Sequence, residues 1–214
     1  PISAGRHIYK REPSFPIAVA CDPAFNFVYE ANIRYLHHLG EVTYFSPLAD
    51  TSLPDAGFVY LPGGYPELYL AALSANRQML QSIRRYVESG GKLLAECGGM
   101  MYLCDEIRDK NGYVYPMAGV LHQSATMENM KLRLGYRTLL YNETRLKGHE
   151  FHYSRLVEQQ NPLPSCAVAY TAKGVETDTP LYHYKNVWAG YTHLYWADPV
   201  GNEWFTKFVI DGNT

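Results

Sequence analysis

Short apolar runs alternate with longer amphipathic segments over the first hundred residues of the chain. The runs are typical of parallel strands that are buried on both faces of a sheet, and they cover residues 16–21, 41–45, 57–61 and 92–96. Between them, apolar side chains recur three or four positions apart, which predicts helices over 30–39, 68–75 and 77–89. The alternation predicts an α/β fold with a mostly parallel central sheet flanked by helices.

The pattern changes in the second half of the chain. After the run that ends at residue 96, a helical pattern resumes over 100–107. Beyond residue 112 the apolar runs become shorter, which predicts additional antiparallel strands over 133–140, 148–153 and 167–170. Residues 188–195 are predicted to form a late strand or strand end, and 203–210 a terminal helix.

Composition narrows the class of protein. The 214 residues are 47% hydrophobic and 19% charged, which is enough for one domain with a sizeable core. The formal net charge is -2 and there is no block of Lys and Arg, so a nucleic-acid partner is not expected. No apolar stretch approaches the roughly 20 residues needed to cross a bilayer. We therefore expect a soluble, cytoplasmic protein with no membrane partner.

The first residue is Pro1 rather than Met, so something is expected to precede it. We interpret residues 1–15 as a lead-in or linker from a missing upstream domain and residues 16–214 as the functional domain. The four cysteines are scattered and none forms a CxxC pair, which favours reduced thiols over a disulfide framework or a zinc site.

One of these cysteines has a setting that suits a nucleophile. Cys97 follows the apolar run 92–96 directly and is followed by Gly98 and Gly99. A residue on a sharp strand-to-helix turn is held above the sheet, and the glycine amides that open the helix can lower the thiol pKa and stabilise an oxyanion. The alternative is a small buried cysteine beside packing glycines.

A catalytic cysteine requires a base within hydrogen-bond reach. His193 follows an aromatic strand and is placed where a side chain can face the crevice above the sheet. Its sequence position alone leaves that role open. We assign four further histidines to the surface, with His7 in the lead-in and His183 in a polar loop; the other two are His37 and His38 on the first predicted helix.

Two further segments bear on the site. Gly63 and Gly64 follow the third strand and either present amides to the same oxyanion or form a structural turn. No GxxxxGK[ST] or GxGxxG pattern occurs, so no nucleotide cofactor is expected in this chain.

The segment 148–153 has one residue too few between its histidines for an HExxH zinc helix, and no metal is expected. Strand alternation instead places Glu150 and His152 on one face, as a brace for the site with a buried ion pair.

Together these segments resemble the C-terminal glutaminase domain of cobyrinic acid a,c-diamide synthases, within the class I glutamine amidotransferases of cobyric-acid-synthase type. The matching stretches are 17–32 (IAVACDPAFNFVYEAN), 45–50 (FSPLAD), 60–68 (YLPGGYPEL), 95–103 (AECGGMMYL), 148–154 (GHEFHYS) and 191–195 (YTHLY). The resemblance implies the flavodoxin-like fold of that class. It also implies that Cys97 attacks L-glutamine, that His193 is the base, and that the amides of Gly64 and Gly98 form the oxyanion hole.

The resemblance further implies an upstream synthetase domain that binds ATP and Mg²⁺ and holds most of the tetrapyrrole acceptor. Ammonia from this domain would then amidate the a and c acetate carboxylates of cobyrinic acid in cobalamin biosynthesis. Other acceptors remain open, namely nickel-sirohydrochlorin, cobyric acid or a peptidoglycan lipid precursor. A further hypothesis is that the domain keeps the amidotransferase fold but is catalytically silent.

One position departs from the class pattern. Many class I members carry Glu two residues after the catalytic histidine, and Tyr195 stands there in this chain. The third catalytic group is therefore either absent or supplied from elsewhere. Our candidate is Glu150, with His152 as a second group lining the site.

Overall fold

The structure is a computed structural model that describes residues 15–211. The predicted lead-in, including His7, lies outside the described residues except for Phe15, which already belongs to the first strand.

Strands and helices alternate through the first half, as predicted. In chain order the elements are β1 (Phe15–Ala20), α1 (Glu30–Leu39), β2 (Gly40–Phe45), β3 (Phe58–Leu61), a 3-10 turn (Pro66–Leu68), α2 (Leu70–Ala75), α3 (Arg77–Glu88), β4 (Lys92–Glu96) and α4 (Gly98–Leu103). The second half is mostly β: β5 (Glu106–Arg108), β6 (Val114–Pro116), β7 (Ser124–Thr126), β8 (Arg133–Tyr141), β9 (Thr144–His152), β10 (Arg155–Leu156), β11 (Val168–Thr171), β12 (Glu176–Thr177), β13 (Leu181–Tyr184), β14 (Val187–Gly190), β15 (His193–Leu194), α5 (Pro199–Thr206) and a π-helical turn (Lys207–Asp211).

The central sheet has the strand order β13-β14-β4-β3-β1-β2. Every neighbouring pair is parallel except β13 and β14, which are antiparallel. The order from β2 to β14 is that of a flavodoxin-like sheet, in which ligands bind beyond the carboxyl ends of the strands. The predicted α/β architecture is confirmed.

Both faces of this sheet are covered, which explains why its strands are continuous apolar runs rather than alternating ones. Side chains such as Ala18, Val59 and Leu93 face a core that includes the buried residues of α2, α3 and α4. Their neighbours along the same strands, such as Val19 and Tyr60, face a second core built from α1, α5 and the sheet that contains β8 and β9. The two-residue period of a strand thus divides the apolar residues between two cores.

Helix α3 shows how the sequence sets a helix and its ends. Its buried stripe consists of side chains three or four positions apart, namely Met79, Leu80, Ile83 and Val87. The side chain of Asn76 accepts a hydrogen bond from the backbone N of Met79 at 3.3 Å, which caps the first turn. Beyond the helix, Gly90 adopts a φ of +91°, a conformation that favours glycine.

Two smaller sheets form the second half. One has the order β10-β7-β5-β6 and the other β12-β11-β8-β9-β15. In the latter, β8 and β9 form a nine-residue antiparallel ladder, and His193 of β15 pairs with His149 of β9. The predicted antiparallel strands are confirmed, and the last sheet reaches the carboxyl edge of the central one.

Three local predictions were wrong. Helix α4 ends at Leu103 rather than continuing to residue 107, because Cys104 is extended and the chain enters β5. Since Met100–Cys104 and Ile107 are all buried, their apolar pattern could not distinguish a helix from a short strand. His183 lies in β13 rather than in a loop, although it is exposed; its ring stacks on Trp188 at 4.3 Å.

The segment 188–195 is also not one strand. It divides into β14 and β15, which belong to different sheets.

The N-terminus of α4 packs directly on backbone, which gives a stability prediction. A Cβ at Gly99 would lie 2.1 Å from the carbonyl oxygen of Leu61 and 2.8 Å from that of Pro62. We expect Gly99→Ala to lower the free energy of unfolding by about 1–3 kcal/mol, because the backbone of Leu61 and Pro62 cannot move aside. Chemical denaturation measures it.

Gly174→Ala is the control, because a Cβ there meets nothing within 4 Å and only its φ of +76° is unfavourable. A loss for Gly99→Ala no larger than that for Gly174→Ala would contradict the packing argument.

Candidate active site

Cys97 occupies a strained turn at the carboxyl end of β4. Its φ of +49° and ψ of -107° lie outside the regions that L-residues favour, at a cost of about 1–3 kcal/mol. The turn is fixed on both sides, since Cys97 N donates to the carbonyl of Gly190 at 2.7 Å and Cys97 O accepts from Met101 N at 3.0 Å. This is the geometry of a nucleophile elbow, as the sequence predicted.

The thiol of Cys97 is closed in and protonated. Cys97 is only 4% exposed, and its S–H donates to the carbonyl oxygen of Phe151 at 3.7 Å. Burial, together with the negative charge of Glu67, raises the pKa of the thiol to about 12. The hydrogen bond from the Gly98 amide lowers this pKa only in part. The Gly98 amide thus acts in the expected direction, but burial outweighs it and the net shift of the thiol pKa is upward.

His193 is held between an aromatic ring and a glycine. The ring of Phe27 packs on the imidazole with centroids 4.4 Å apart. On the other side, a Cβ added to Gly63 would lie 2.1 Å from His193 Cε1, so only glycine leaves room for the imidazole. Phe27 N donates to Gly63 O at 3.1 Å, which joins the two walls of this slot.

The imidazole of His193 is neutral. Burial is the main reason that its pKa falls to about 3, and the nearby His149 and His152 lower it further. Its Nδ1 is buried and has no hydrogen-bond partner within residues 15–211. A neutral imidazole can accept a proton, so the group has the protonation state of a base. In the described part of the chain no side chain, that of Cys97 included, is hydrogen-bonded to the imidazole, since the Cys97 thiol donates to Phe151 O instead.

Glu150 and His152 form the buried ion pair that strand alternation predicted. Glu150 Oε1 lies 2.7 Å from His152 Nε2, and the carboxylate also contacts Arg137 and the hydroxyl of Thr179. Burial acts to raise the pKa of Glu150, but the hydrogen bond and charge of His152 and the charge of Arg137 outweigh it, and the pKa is lowered. These contacts occupy the carboxylate; its role as a third catalytic group stays a prediction.

The two glycines assigned to the oxyanion hole lie side by side. A Cβ at Gly98 would be 3.2 Å from both the backbone N and the backbone O of Gly64. Gly64 itself has a φ of +156° and lies against the carbonyl of Ala24. The loop after β3 and the turn after β4 are thus in contact beside Cys97, as expected of strands that are neighbours in the sheet.

Two buried polar residues that were not predicted from the sequence, Glu96 and Asn32, hold the strand that carries His193. Glu96 accepts hydrogen bonds from the hydroxyl of Tyr60 at 2.6 Å and from Leu194 N at 3.0 Å. Asn32, which is fully buried, donates to Leu194 O at 2.8 Å and accepts from Trp196 N at 3.0 Å. The available signal was a polar residue on a buried surface: Glu96 ends an apolar run, and Asn32 lies one turn before Leu36 on the apolar stripe of α1.

The space beside Cys97 is small. A cavity of about 10 Å³ is lined by the turn of Cys97, the loop of Gly64, Tyr65 and Glu67, and the end of β9. Glutamine does not fit, and even one water needs about 10–15 Å³. His152 also lines a cavity of about 510 Å³ with Arg133, Arg155 and Thr179. The site beside Cys97 is therefore closed in this state, and His152 also borders the larger cavity.

The CobB/CobQ-like glutamine amidotransferase domain is described by a family profile that matches residues 16–200. The chain belongs to this family. The strained cysteine turn and the paired glycine segments described above lie inside the matched range. Among residues 15–211 there is no helix of the length and apolarity needed to cross a membrane.

Characterised relatives of this CobB/CobQ-like domain are longer proteins. The chain is 40% identical over 185 residues to hydrogenobyrinate a,c-diamide synthase of Pseudomonas aeruginosa, covering 84% of the chain and 41% of that protein. It is 40% identical over 188 residues to cobyrinate a,c-diamide synthase of Fusobacterium nucleatum, with the same coverage of 84% and 41%. The chain thus spans less than half the length of these relatives.

Solved structures agree on the fold. A glutamine amidotransferase from Thermotoga maritima superimposes with a TM-score of 0.52 at 12% identity, over 92% of this chain and 83% of that one. A second glutamine amidotransferase superimposes with a TM-score of 0.55 at 16% identity, over 90% and 98%. The CobB/CobQ-like domain has the class I glutamine amidotransferase fold that the resemblance implied.

The raised pKa of Cys97 predicts the pH dependence of its alkylation. Only the thiolate reacts, and its fraction rises about tenfold per pH unit at any pH well below the pKa. We expect the rate of Cys97 modification by iodoacetamide to be slow at pH 7 and to increase up to pH 9 without a plateau. Peptide mass mapping of timed samples measures the rate.

Cys21 is exposed and serves as the internal control for reagent quality. A plateau of the Cys97 rate below pH 8 would show instead a thiolate that is already formed at rest.

Proposed function

We propose that this domain hydrolyses L-glutamine and supplies the ammonia to a synthetase domain. The observation that carries the proposal is the strained Cys97 turn at the carboxyl edge of a parallel sheet, with neutral His193 delivered to the same edge by the continuation of the neighbouring strand. A buried cysteine without a catalytic role gives no reason to hold residue 97 at a φ of +49°.

The chemistry follows from these two side chains. The Cys97 proton passes to the neutral imidazole of His193 while the sulfur attacks the γ-carboxamide carbon of glutamine. The resulting oxyanion receives hydrogen bonds from the amides of Gly64 and Gly98. His193 then returns the proton to the departing nitrogen, releasing ammonia and leaving a γ-glutamyl thioester. Water, deprotonated by His193, hydrolyses the thioester to glutamate and restores the thiol.

A Cys–His dyad is the arrangement that we favour. The partnerless Nδ1 of His193 and the occupied carboxylate of Glu150 support it. If Glu150 does act as the third group, it must first give up contacts with His152, Arg137 or Thr179. Burial raises the pKa of the thiol and lowers that of the imidazole, which disfavours proton transfer between them in the closed site. Because the cavity of about 10 Å³ beside Cys97 is too small for glutamine, we infer that the end of β9 and the loop after β3 separate to admit it.

The names of the relatives support a proposal for the remainder of the enzyme. The proteins matched at 40% identity are named cobyrinate and hydrogenobyrinate a,c-diamide synthases, and this chain spans 41% of each. We propose that the rest of the protein binds ATP, Mg²⁺ and a tetrapyrrole, and amidates its a and c acetate carboxylates in cobalamin biosynthesis. The overall enzyme would then be a glutamine-hydrolysing amide ligase.

The nucleophile and base are tested by substitution in the full-length protein. We expect Cys97→Ser and His193→Ala each to lower glutamine-dependent amidation at least about 10³-fold. Amidation with added ammonium should remain, because ammonia bypasses the thioester. Assays of product amide with either nitrogen source measure both.

Cys21→Ser is the matched control and should retain both activities. Equal loss of glutamine-dependent and ammonium-dependent activity in the Cys97 and His193 variants would contradict the assigned roles. Covalent labelling by 6-diazo-5-oxo-norleucine at Cys97, blocked by glutamine, would establish the site independently of the acceptor.

The slot around His193 gives a second prediction. Gly63→Ala places a methyl group 2.1 Å from His193 Cε1. We expect the imidazole to be displaced and glutamine hydrolysis to fall about 10–100-fold in kcat, since a shift of about 1 Å in a reacting group has an effect of this size. Steady-state kinetics of glutamate release measures it.

Gly57→Ala is its control at the other end of β3, where an added Cβ meets the side chain of Phe15 at 2.6 Å instead. A comparable loss of kcat in both variants would attribute the effect to strand β3 in general rather than to His193.

A further inference from the structure

The carboxylate of Glu96 is buried between strands that bear the nucleophile and the base. Glu96 is 1% exposed, and both of its oxygens accept hydrogen bonds, Oε1 from Leu194 N and Oε2 from the hydroxyl of Tyr60. Over residues 15–211 no Lys, Arg or His forms an ion pair with it. Burial raises the pKa of Glu96 to about 7, and a buried carboxyl group without a cation is expensive, so its position calls for an explanation.

The two bonded strands flank the reacting residues. Glu96 immediately precedes Cys97, and Leu194 immediately follows His193. The link is therefore only one residue removed from the nucleophile on one side and from the base on the other.

This link joins two different sheets. Strand β14 accompanies β4 as far as the pairing of Gly190 with Glu96, and the chain then leaves the central sheet. His193 resumes as β15 in the sheet of β9, where it pairs with His149. The backbone of the base thus belongs to one sheet and the backbone of the nucleophile to another.

Leu194 is oriented for such a contact. In an antiparallel pair alternate residues direct their N–H and C=O away from the neighbouring strand. Leu194 is such a residue: its N–H goes to Glu96 at 3.0 Å and its C=O accepts from Asn32 at 2.8 Å. The next ladder bond to β9 comes from Tyr195 N, which donates to Lys147 O at 2.8 Å. Side chains from β4 and α1 thus clamp the peptide groups of Leu194.

We infer that Glu96 is a positioning residue that sets the direction of the His193 imidazole relative to the Cys97 sulfur, by holding Leu194 N from the strand end that carries the nucleophile. The inference rests on the proposed glutaminase function. Loss of this contact misplaces the base without removing any group that touches glutamine. The effect is therefore expected on kcat rather than on KM.

The chain offers variants that separate this role from general stability. Glu96→Ala removes both bonds. Glu96→Gln keeps the link, because its amide oxygen accepts from Leu194 N and its NH₂ donates to the Tyr60 oxygen. Tyr60→Phe removes only the bond on the side away from His193.

Glutaminase kinetics of the full-length protein test the inference. We expect Glu96→Ala to lower kcat about 10–100-fold with KM changed less than about twofold. Glu96→Gln and Tyr60→Phe should stay within about threefold of the wild-type kcat. Thermal unfolding of each variant reports its folded fraction. Ammonium-dependent amidation reports whether the rest of the full-length protein is intact.

Two results would overturn the inference: an unchanged kcat per folded molecule in Glu96→Ala, or an equal loss of kcat in Tyr60→Phe and Glu96→Ala. If Glu96→Ala does not fold, Asn32→Ala releases the other side of the same peptide and should show the same selective loss of kcat; an unchanged kcat there would reject the clamp. Absence of glutamine hydrolysis in the wild-type protein would reject the proposed function itself, and is thereby distinguished from failure of this inference.

Discussion

Residue 97 has to occupy a backbone conformation that an L-amino acid adopts only at a cost of about 1–3 kcal/mol, and the surrounding chain supplies what holds it there. The backbone of Cys97 is bonded to Gly190 of the neighbouring strand, and α4 follows at once with Gly99 against the carbonyl of Leu61. Strand pairing and close helix packing together stabilise the strained conformation of Cys97. The side chain lies at the carboxyl edge of the sheet because parallel strands β14 and β3 occupy both sides of β4.

Around this fixed point the site is assembled from elements that are remote in sequence. The slot for His193 comes from Phe27 and Gly63, and the polar wall comes from the ion pair of Glu150 and His152. These parts come from the loop before α1, the loop after β3 and the end of β9. The electrostatic result is a neutral thiol and a neutral imidazole, since burial disfavours charge on either group. Packing thus sets the positions of Cys97 and His193, while burial in the closed site keeps both groups uncharged.

Much of the central fold could be predicted from local pattern. Apolar runs identified β1, β3 and β4, helical spacing gave α1 with the same bounds, and a cysteine between a strand and two glycines pointed to the elbow. What could not be predicted depends on contacts across the chain. No local signal shows that β14 and β15 separate into two sheets, or that Glu96 bonds to a peptide 98 residues away. The helical pattern past Leu103 misled because residues buried on all sides lose their period.

The closed cavity at Cys97 has a consequence for how the protein survives oxidants. Oxidation of cysteine to sulfenic acid and beyond follows thiolate character and access. A thiol that is 4% exposed, protonated and bonded to the carbonyl of Phe151 offers neither. Peroxide in the surrounding solution meets exposed Cys21 first. The closed cavity thus protects the Cys97 thiol chemically, and an oxidant reaches it only if the cavity opens.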